Sequence, residues 1–134
     1  MSRQRIGVGV VGFGWMGQAH TRSYLRIPTL FPERTYDPHL LVISDTAPDR
    51  VAEAVGSFGF AHGTTDWREV VEHPEVDVVV ICAPNMLHEP IAVAAAEAGK
   101  HVFCEKPVGG TPEQTLRIEA AAAAAGSITG VGYN

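Results

Sequence analysis

IGVGVVGFGWMG, residues 6–17, runs an apolar strand-like segment straight into three spaced glycines, Gly12, Gly14 and Gly17. Ile6 to Val11 carries no polar side chain and reads as a first β-strand buried on both faces. From about Trp15 to Ile27 the pattern reads as a helix. The glycines between them form G-x-G-x-x-G. That pattern is weak by itself, because turns often carry glycine for their own sake, but strong between a strand and a helix. Gly12 permits the tight turn, Gly14 lets a backbone approach a pyrophosphate, and Gly17 lets the helix pack on the strand. Phe13, Trp15 and Met16 occupy the variable positions of the same candidate site. The free N–H groups and positive dipole end of the helix then face phosphates, which points to NAD or NADP.

Working outward, strand and helix signals alternate along the chain. Residues 28–38 hold Pro28, Pro32 and Pro38 and read as a loop, with Leu40–Ser44 as the second strand. A helix is expected from about Pro48 to Val55, stopped by Gly56, and Phe58–Ala61 reads as a short third strand. Thr65 is placed to cap a short helix that Pro74 ends. Val76–Ala83 is the fourth and most strongly marked strand, broken by Pro84 and Asn85. A helix from about Glu89 to Ala98 closes at Gly99, and His101–Cys104 is the fifth strand. Thr111 with Gln114 makes a capping box for an Ala-rich helix ending near Gly126, whose tract 120–125 is expected to pack closely on the sheet. Ile128–Val131 is the sixth strand. Six strands separated by helices predict an α/β fold, a doubly wound parallel sheet of Rossmann type in the order 3-2-1-4-5-6.

The bulk numbers agree with one globular domain over 1–134. Apolar residues make up 46% and charged residues 19%, and the net charge of −5 comes without a dense basic stripe, so nucleic acid and anionic membrane are poor partners. No run approaches the length needed to span a bilayer, and Cys82 and Cys104 suggest neither a disulfide framework nor a metal site. A soluble, cytoplasmic protein is expected. His88-Glu89 begins like a zinc-protease helix, but Ala92 stands where the second histidine belongs. The remaining histidines, His20, His39, His62, His73 and His101, show no ligand spacing and read as structural or exposed.

Two charged residues stand out. Asp45 closes the second strand, where a carboxylate accepts hydrogen bonds from ribose hydroxyls and repels a 2′-phosphate, favouring NAD. A solvated turn aspartate is the alternative, and Arg50 nearby leaves NADP open. Lys106 ends the fifth strand beside the crevice where open α/β sheets bind ligands, and desolvation there would suit it to proton transfer. A plain surface charge is the other reading of that position.

Three stretches, VGVVGFGWMGQAH (8–20), DVVVICAPNMLHEPIAVAAAEAGKHVFCEKP (77–107) and GVGYN (130–134), together resemble the Gfo/Idh/MocA oxidoreductase family. An extended 28–38 loop and Gly109-Gly110 after Glu-Lys-Pro depart from its pattern. The resemblance implies that Ala83, Pro84 and Asn85 line the cofactor, with His88 beside it. It places Glu105, Lys106 and Pro107 near the nicotinamide, with the Lys-Pro bond cis, and brings in Asn134 through the last motif. Lys106 matches the family's catalytic lysine. The implied activity is hydride transfer between the nicotinamide and a secondary hydroxyl or ketone of a sugar or polyol. Rival readings are an NAD-recycling glycosidase or lyase and a non-catalytic NAD-sensing or assembly module. Members continue into a C-terminal substrate domain, absent from this chain, which usually builds a homo-oligomer. The isolated domain is therefore expected to bind cofactor without turnover.

Overall fold

The computed structural model describes residues 2–133, so Asn134 lies outside the described residues. Its elements are β1 (Gln4–Val11), α1 (Trp15–Leu30), β2 (Tyr36–Ser44), α2 (Pro48–Phe58), β3 (His62–Thr64), α3 (Trp67–Glu72), β4 (Val78–Ile81), α4 (His88–Glu97), β5 (His101–Glu105), α5 (Pro112–Ala125) and β6 (Thr129–Gly132). A 3-10 turn, Asn85–Leu87, leads into α4. All strand pairs are parallel and the sheet order is β3-β2-β1-β4-β5-β6, as the alternating pattern implies.

Two apolar cores sandwich the sheet. Val8 and Val10 of β1 pack with Phe13, Ile43, Ala54 and Phe60 on the α1/α2 side. Val11, Val79 and Ile81 pack with Val70, Ile91, Ala95 and Ile118 on the side of α3, α4 and α5. Successive strand residues thus feed opposite cores, which is why β1 and β4 need apolar residues at nearly every position.

Several boundaries differ from those read in the sequence, each for a local reason. Helix α1 continues through Pro28 to Leu30, so 28–38 is not one loop. Its last carbonyls find donors despite the proline: Phe31 N–H reaches the Ile27 oxygen at 2.9 Å. The Arg34 guanidinium donates to the Pro28 and Phe31 oxygens at 3.2 and 3.3 Å. Strand β2 then starts at Tyr36 and includes Pro38, which pairs with Ile6 of β1, whereas β3 joins β2 only from Val42 onward. The absent N–H of Pro38 therefore falls where β2 has an open flank.

Gly56 lies inside α2, and Gly59 stops the helix in the left-handed conformation, φ 85°. Phe58 and Phe60 go to the core against Phe13 instead of forming a strand, and β3 is displaced to His62–Thr64. Asp66, not Thr65, caps α3, accepting from Arg68 N–H at 3.0 Å. Strand β4 is shorter than the apolar run, leaving Cys82 and Ala83 to turn into the cleft. Thr111 caps α5 as expected, although the Gln114 side chain accepts from the Gly110 N–H instead of closing the box on Thr111. Along α5 only Ile118 and Ala122 are buried, so most of the Ala tract is exposed and the helix packs beside α4. High helix propensity accounts for those alanines better than close packing does.

Candidate functional site

The site forms where β1, β2, β4 and β5 end. Three glycines of the turn meet three different demands. Gly12 has φ 93°, and a Cβ there would lie 2.6 Å from the Cys82 carbonyl oxygen. At Gly17 a Cβ would stand 2.0 Å from the Gly12 oxygen, so the close approach of helix and strand requires glycine. Gly14 is different: its backbone has negative φ, and the nearest atom to an added Cβ is Arg50 Nη1 at 3.9 Å. Nothing in the protein forbids a side chain at Gly14. The open space beside it is what an approaching phosphate needs.

Helix α1 starts at that glycine with no side-chain cap and no acidic residue in its first turn. By contrast, Asp66 and Thr111 satisfy N–H groups at the starts of α3 and α5. The first turn of α1 keeps its donors for an anion. A pyrophosphate therefore fits the residues present.

Asp45 is buried and braces the turn. Its Oδ2 accepts from Phe13 N–H at 2.8 Å and its Oδ1 from Ala47 N–H at 2.9 Å. Arg50 Nη1 lies 3.6 Å from Oδ2. A carboxylate offers about four lone-pair sites, so capacity for hydroxyls remains after two backbone bonds. The solvated-turn alternative does not describe this buried group. Asp45 shares a cleft with Gly12, Ser44, Thr65, Ala83 and Pro84. Ser44 Oγ is, among the described residues, the buried side-chain polar atom without a protein partner, a group that water or a polar ligand would satisfy.

On the other side of the turn, a cleft of about 270 Å³ brings together Trp15, Met16, Cys82, Ala83, Asn85, His88, Glu105 and Lys106. The structure thus gathers residues that lie some ninety positions apart. Trp15 is 82% exposed beside the glycine turn, whereas the Phe13 side chain is fully buried in the core, leaving only its backbone in the site. Lys106 is exposed, and the Lys106–Pro107 peptide is cis. Burial, with the Glu105 charge adding to it, pushes the Cys82 and Cys104 thiols up to about 12, so neither is a nucleophile near neutral pH. Both are free, Cys104 buried and Cys82 half-buried.

Two histidines play parts that the sequence does not reveal. His88 is 2% exposed, and its Nδ1 and Nε2 each lie 2.8 Å from a carbonyl oxygen, of Pro107 and Ala83 respectively. A neutral ring donates to one of these, an imidazolium to both. His20 of α1 places Nε2 2.5 Å from Glu105 Oε1 and packs edge-on to Phe103. Its position three residues beyond Gly17, one helical turn along α1, is the only sequence signal for that contact.

A larger hollow, about 660 Å³, lies instead at the far end of α1, against Ile27, Leu30, Phe31 and Tyr36. It is mainly apolar and remote from the glycine turn. Among the described residues, no group of three or more His, Cys, Asp or Glu is arranged to hold a metal ion, and no helix is long and apolar enough to cross a membrane.

A family model described as an oxidoreductase family with an NAD-binding Rossmann fold matches residues 6–133. The chain is similar to the levoglucosan dehydrogenase of Pseudarthrobacter phenanthrenivorans, 45% identical over 112 residues, covering 84% of this chain and 29% of that protein. It is also similar to inositol 2-dehydrogenase 4 of Saccharopolyspora erythraea, 35% identical over 127 residues, covering 94% of this chain and 35% of that protein. Among solved structures, a levoglucosan dehydrogenase in complex with NADH and levoglucosan aligns with TM-score 0.90 and 41% identity, covering 96% of this chain and 35% of that one. The chain spans about a third of the length of these relatives.

Proposed function

The chain belongs to the Gfo/Idh/MocA oxidoreductase family, and from that premise we propose that it is the NAD-binding domain of a longer dehydrogenase acting on a sugar or polyol. The observation that carries this reading is the open space beside Gly14 at the uncapped start of α1, with Lys106 across the adjoining cleft. Gly14, Trp15 and Met16 would hold the pyrophosphate through backbone N–H groups. Asp45 would take the adenosine ribose, and Ala83, Pro84 and Asn85 would form a wall of the site. Bound NAD would accept or deliver a hydride at its nicotinamide ring. Lys106 Nζ would hold and move the proton of the substrate hydroxyl. Residues from a second domain would supply the opposing wall and exclude water, in keeping with the share of the relatives that this chain spans.

The exposed Trp15 gives a direct test. NADH titrated into residues 1–134 is expected to quench tryptophan emission saturably, with ADP-ribose reversing the effect. A Trp15→Phe variant should lose most of the quenching but keep its calorimetric affinity. Absence of saturable quenching together with absence of binding heat would remove the proposal.

Asp45 offers a second expectation. Asp45→Ala should weaken NADH by about tenfold, the scale of one lost hydrogen bond to a charged group, and narrow the preference over NADPH. Paired titrations with the two cofactors check it. A wild-type chain that already binds NADPH more tightly would show that Arg50, and not Asp45, dominates the ribose end.

A further inference from the structure

Lys106 stands between two residues that are tied by histidines to different helices. Before it, the Glu105 side chain reaches His20 Nε2 on α1 at 2.5 Å. After it, the Pro107 carbonyl lies 2.8 Å from His88 Nδ1 on α4. His88 Nε2 also lies 2.8 Å from the Ala83 carbonyl, so one buried ring sits between the two segments that wall the cleft. Lys106 itself is exposed, and among the described residues its side chain has no hydrogen-bond or ion-pair partner.

Both ties place polar groups where burial costs free energy unless each is bonded. Glu105 is only 7% exposed, and its carboxylate lies against Gly132 of β6, where a Cβ would stand 2.5 Å from Oε1. The fold thus leaves a slot for this carboxylate and sets His20 at its mouth. Both His88 ring nitrogens lie 2.8 Å from backbone carbonyls, and a protonated nitrogen donates to its carbonyl, so His88 acts through the chain.

We propose that His20 and His88 are positioning residues for Lys106, holding segment 105–107 at a fixed place relative to the start of α1 and the Ala83–Asn85 wall. The inference rests on the reading of Lys106 as the proton-handling group of a cofactor cleft. A lysine has a long, mobile side chain, and fixing the backbone on both sides of it restricts the volume that Nζ samples. Such orientation contributes to rate when the reacting groups must meet in one geometry.

The chain contains two lysines, Lys100 and Lys106, so ¹⁵N-lysine labelling yields two backbone signals. Lys100 is buried, with Nζ donating to the His73 carbonyl at 2.8 Å, and reports on the fold. In the wild type both amides should show order parameters near those of rigid backbone, about 0.85. In His20→Ala and His88→Ala the Lys106 value should fall to about 0.6 or below while Lys100 keeps its own. His20→Gln, which retains an N–H donor for Glu105, should restore Lys106. In both alanine variants ADP-ribose, which is NAD without its nicotinamide ring, should bind as it does to the wild type, and NADH should weaken by less than about tenfold. An unchanged Lys106 signal in His20→Ala and His88→Ala overturns the proposal. Should His88→Ala also loosen Lys100, the His20→Ala and His20→Gln comparison decides by itself. If NADH fails to bind the wild-type chain, the cofactor reading falls, while the order-parameter comparison still decides whether the histidines position Lys106.

Discussion

Gly14→Val is expected to abolish cofactor binding in a chain that keeps most of its stability, and Gly17→Ala to destabilise the fold while leaving the phosphate site's own residues unchanged. The two substitutions lie three residues apart, so the contrast comes from surroundings and not from region. At Gly14 the backbone angles suit any residue and an added Cβ meets nothing closer than 3.9 Å. The fold should lose only the modest preference for glycine over valine at a helix start, about 1 kcal/mol. The new side chain would instead fill the space that a phosphate needs, blocking bonds from the first turn of α1. Losing two hydrogen bonds to a charged group corresponds to a fall in affinity of about 100-fold or more. At Gly17 a Cβ would meet the Gly12 carbonyl oxygen at 2.0 Å and its carbon at 2.9 Å, both backbone atoms that cannot rotate away. Overpacking of that kind costs about 3 kcal/mol, which for a domain of this size lowers Tm by roughly 10 °C. Thermal scans and NADH titrations of both variants check the pair. Equal loss of stability at the two positions would mean that Gly14 also serves the fold.

Lys106→Ala should lower kcat by about 10²-fold or more in a catalytically complete protein carrying these residues, the scale of losing an acid–base group. Cofactor affinity should change much less, because Lys106 lies beyond the glycine turn and the Asp45 cleft. Lys106→Arg should not rescue the activity, since a guanidinium holds its proton across the working pH range. Steady-state kinetics with NAD as the varied substrate separate the two effects. A loss confined to KM would make Lys106 a binding residue. Residues 1–134 alone are expected to bind cofactor without measurable turnover, because one wall of a cleft does not hold a polyol against the nicotinamide.

The parts legible in the sequence were those written in short-range pattern. The strand–glycine–helix junction at 6–17 and the Thr111 cap depend on neighbours within a few residues, the order of strands follows from the alternation of strands and helices, and the structure agrees with each. Pro28 misled because the donors that let α1 continue come from Arg34, beyond the apparent end of the helix. Phe58 and Phe60 looked like a strand because an apolar pair beside glycine does not say whether it pairs with a sheet edge or fills a core. In the candidate site, the glycines are legible from their spacing and Asp45 from its place at the end of the second strand. The second task of Asp45, bracing Phe13, joins residues 32 positions apart and has no local signal. His20 and Glu105 are separated by 85 residues, and nothing local in either stretch announces their contact. The resemblance sets His88 beside the cofactor; His88 lines the cleft with Lys106, its buried ring facing two backbone carbonyls, and those carbonyl contacts have no local signal in the sequence.

The most direct test of the central claim is an amide NMR footprint of NADH on residues 1–134. Binding through the glycine turn should shift the amides of Gly14, Trp15 and Met16 most, with further changes at Asp45–Ala47 and Ala83–Asn85, and none of these should occur in Gly14→Val. The apolar hollow beside Ile27, Leu30 and Tyr36 should stay silent. Shifts centred on that hollow, or a footprint unchanged by Gly14→Val, would contradict the assignment of residues 12–17 as the cofactor site.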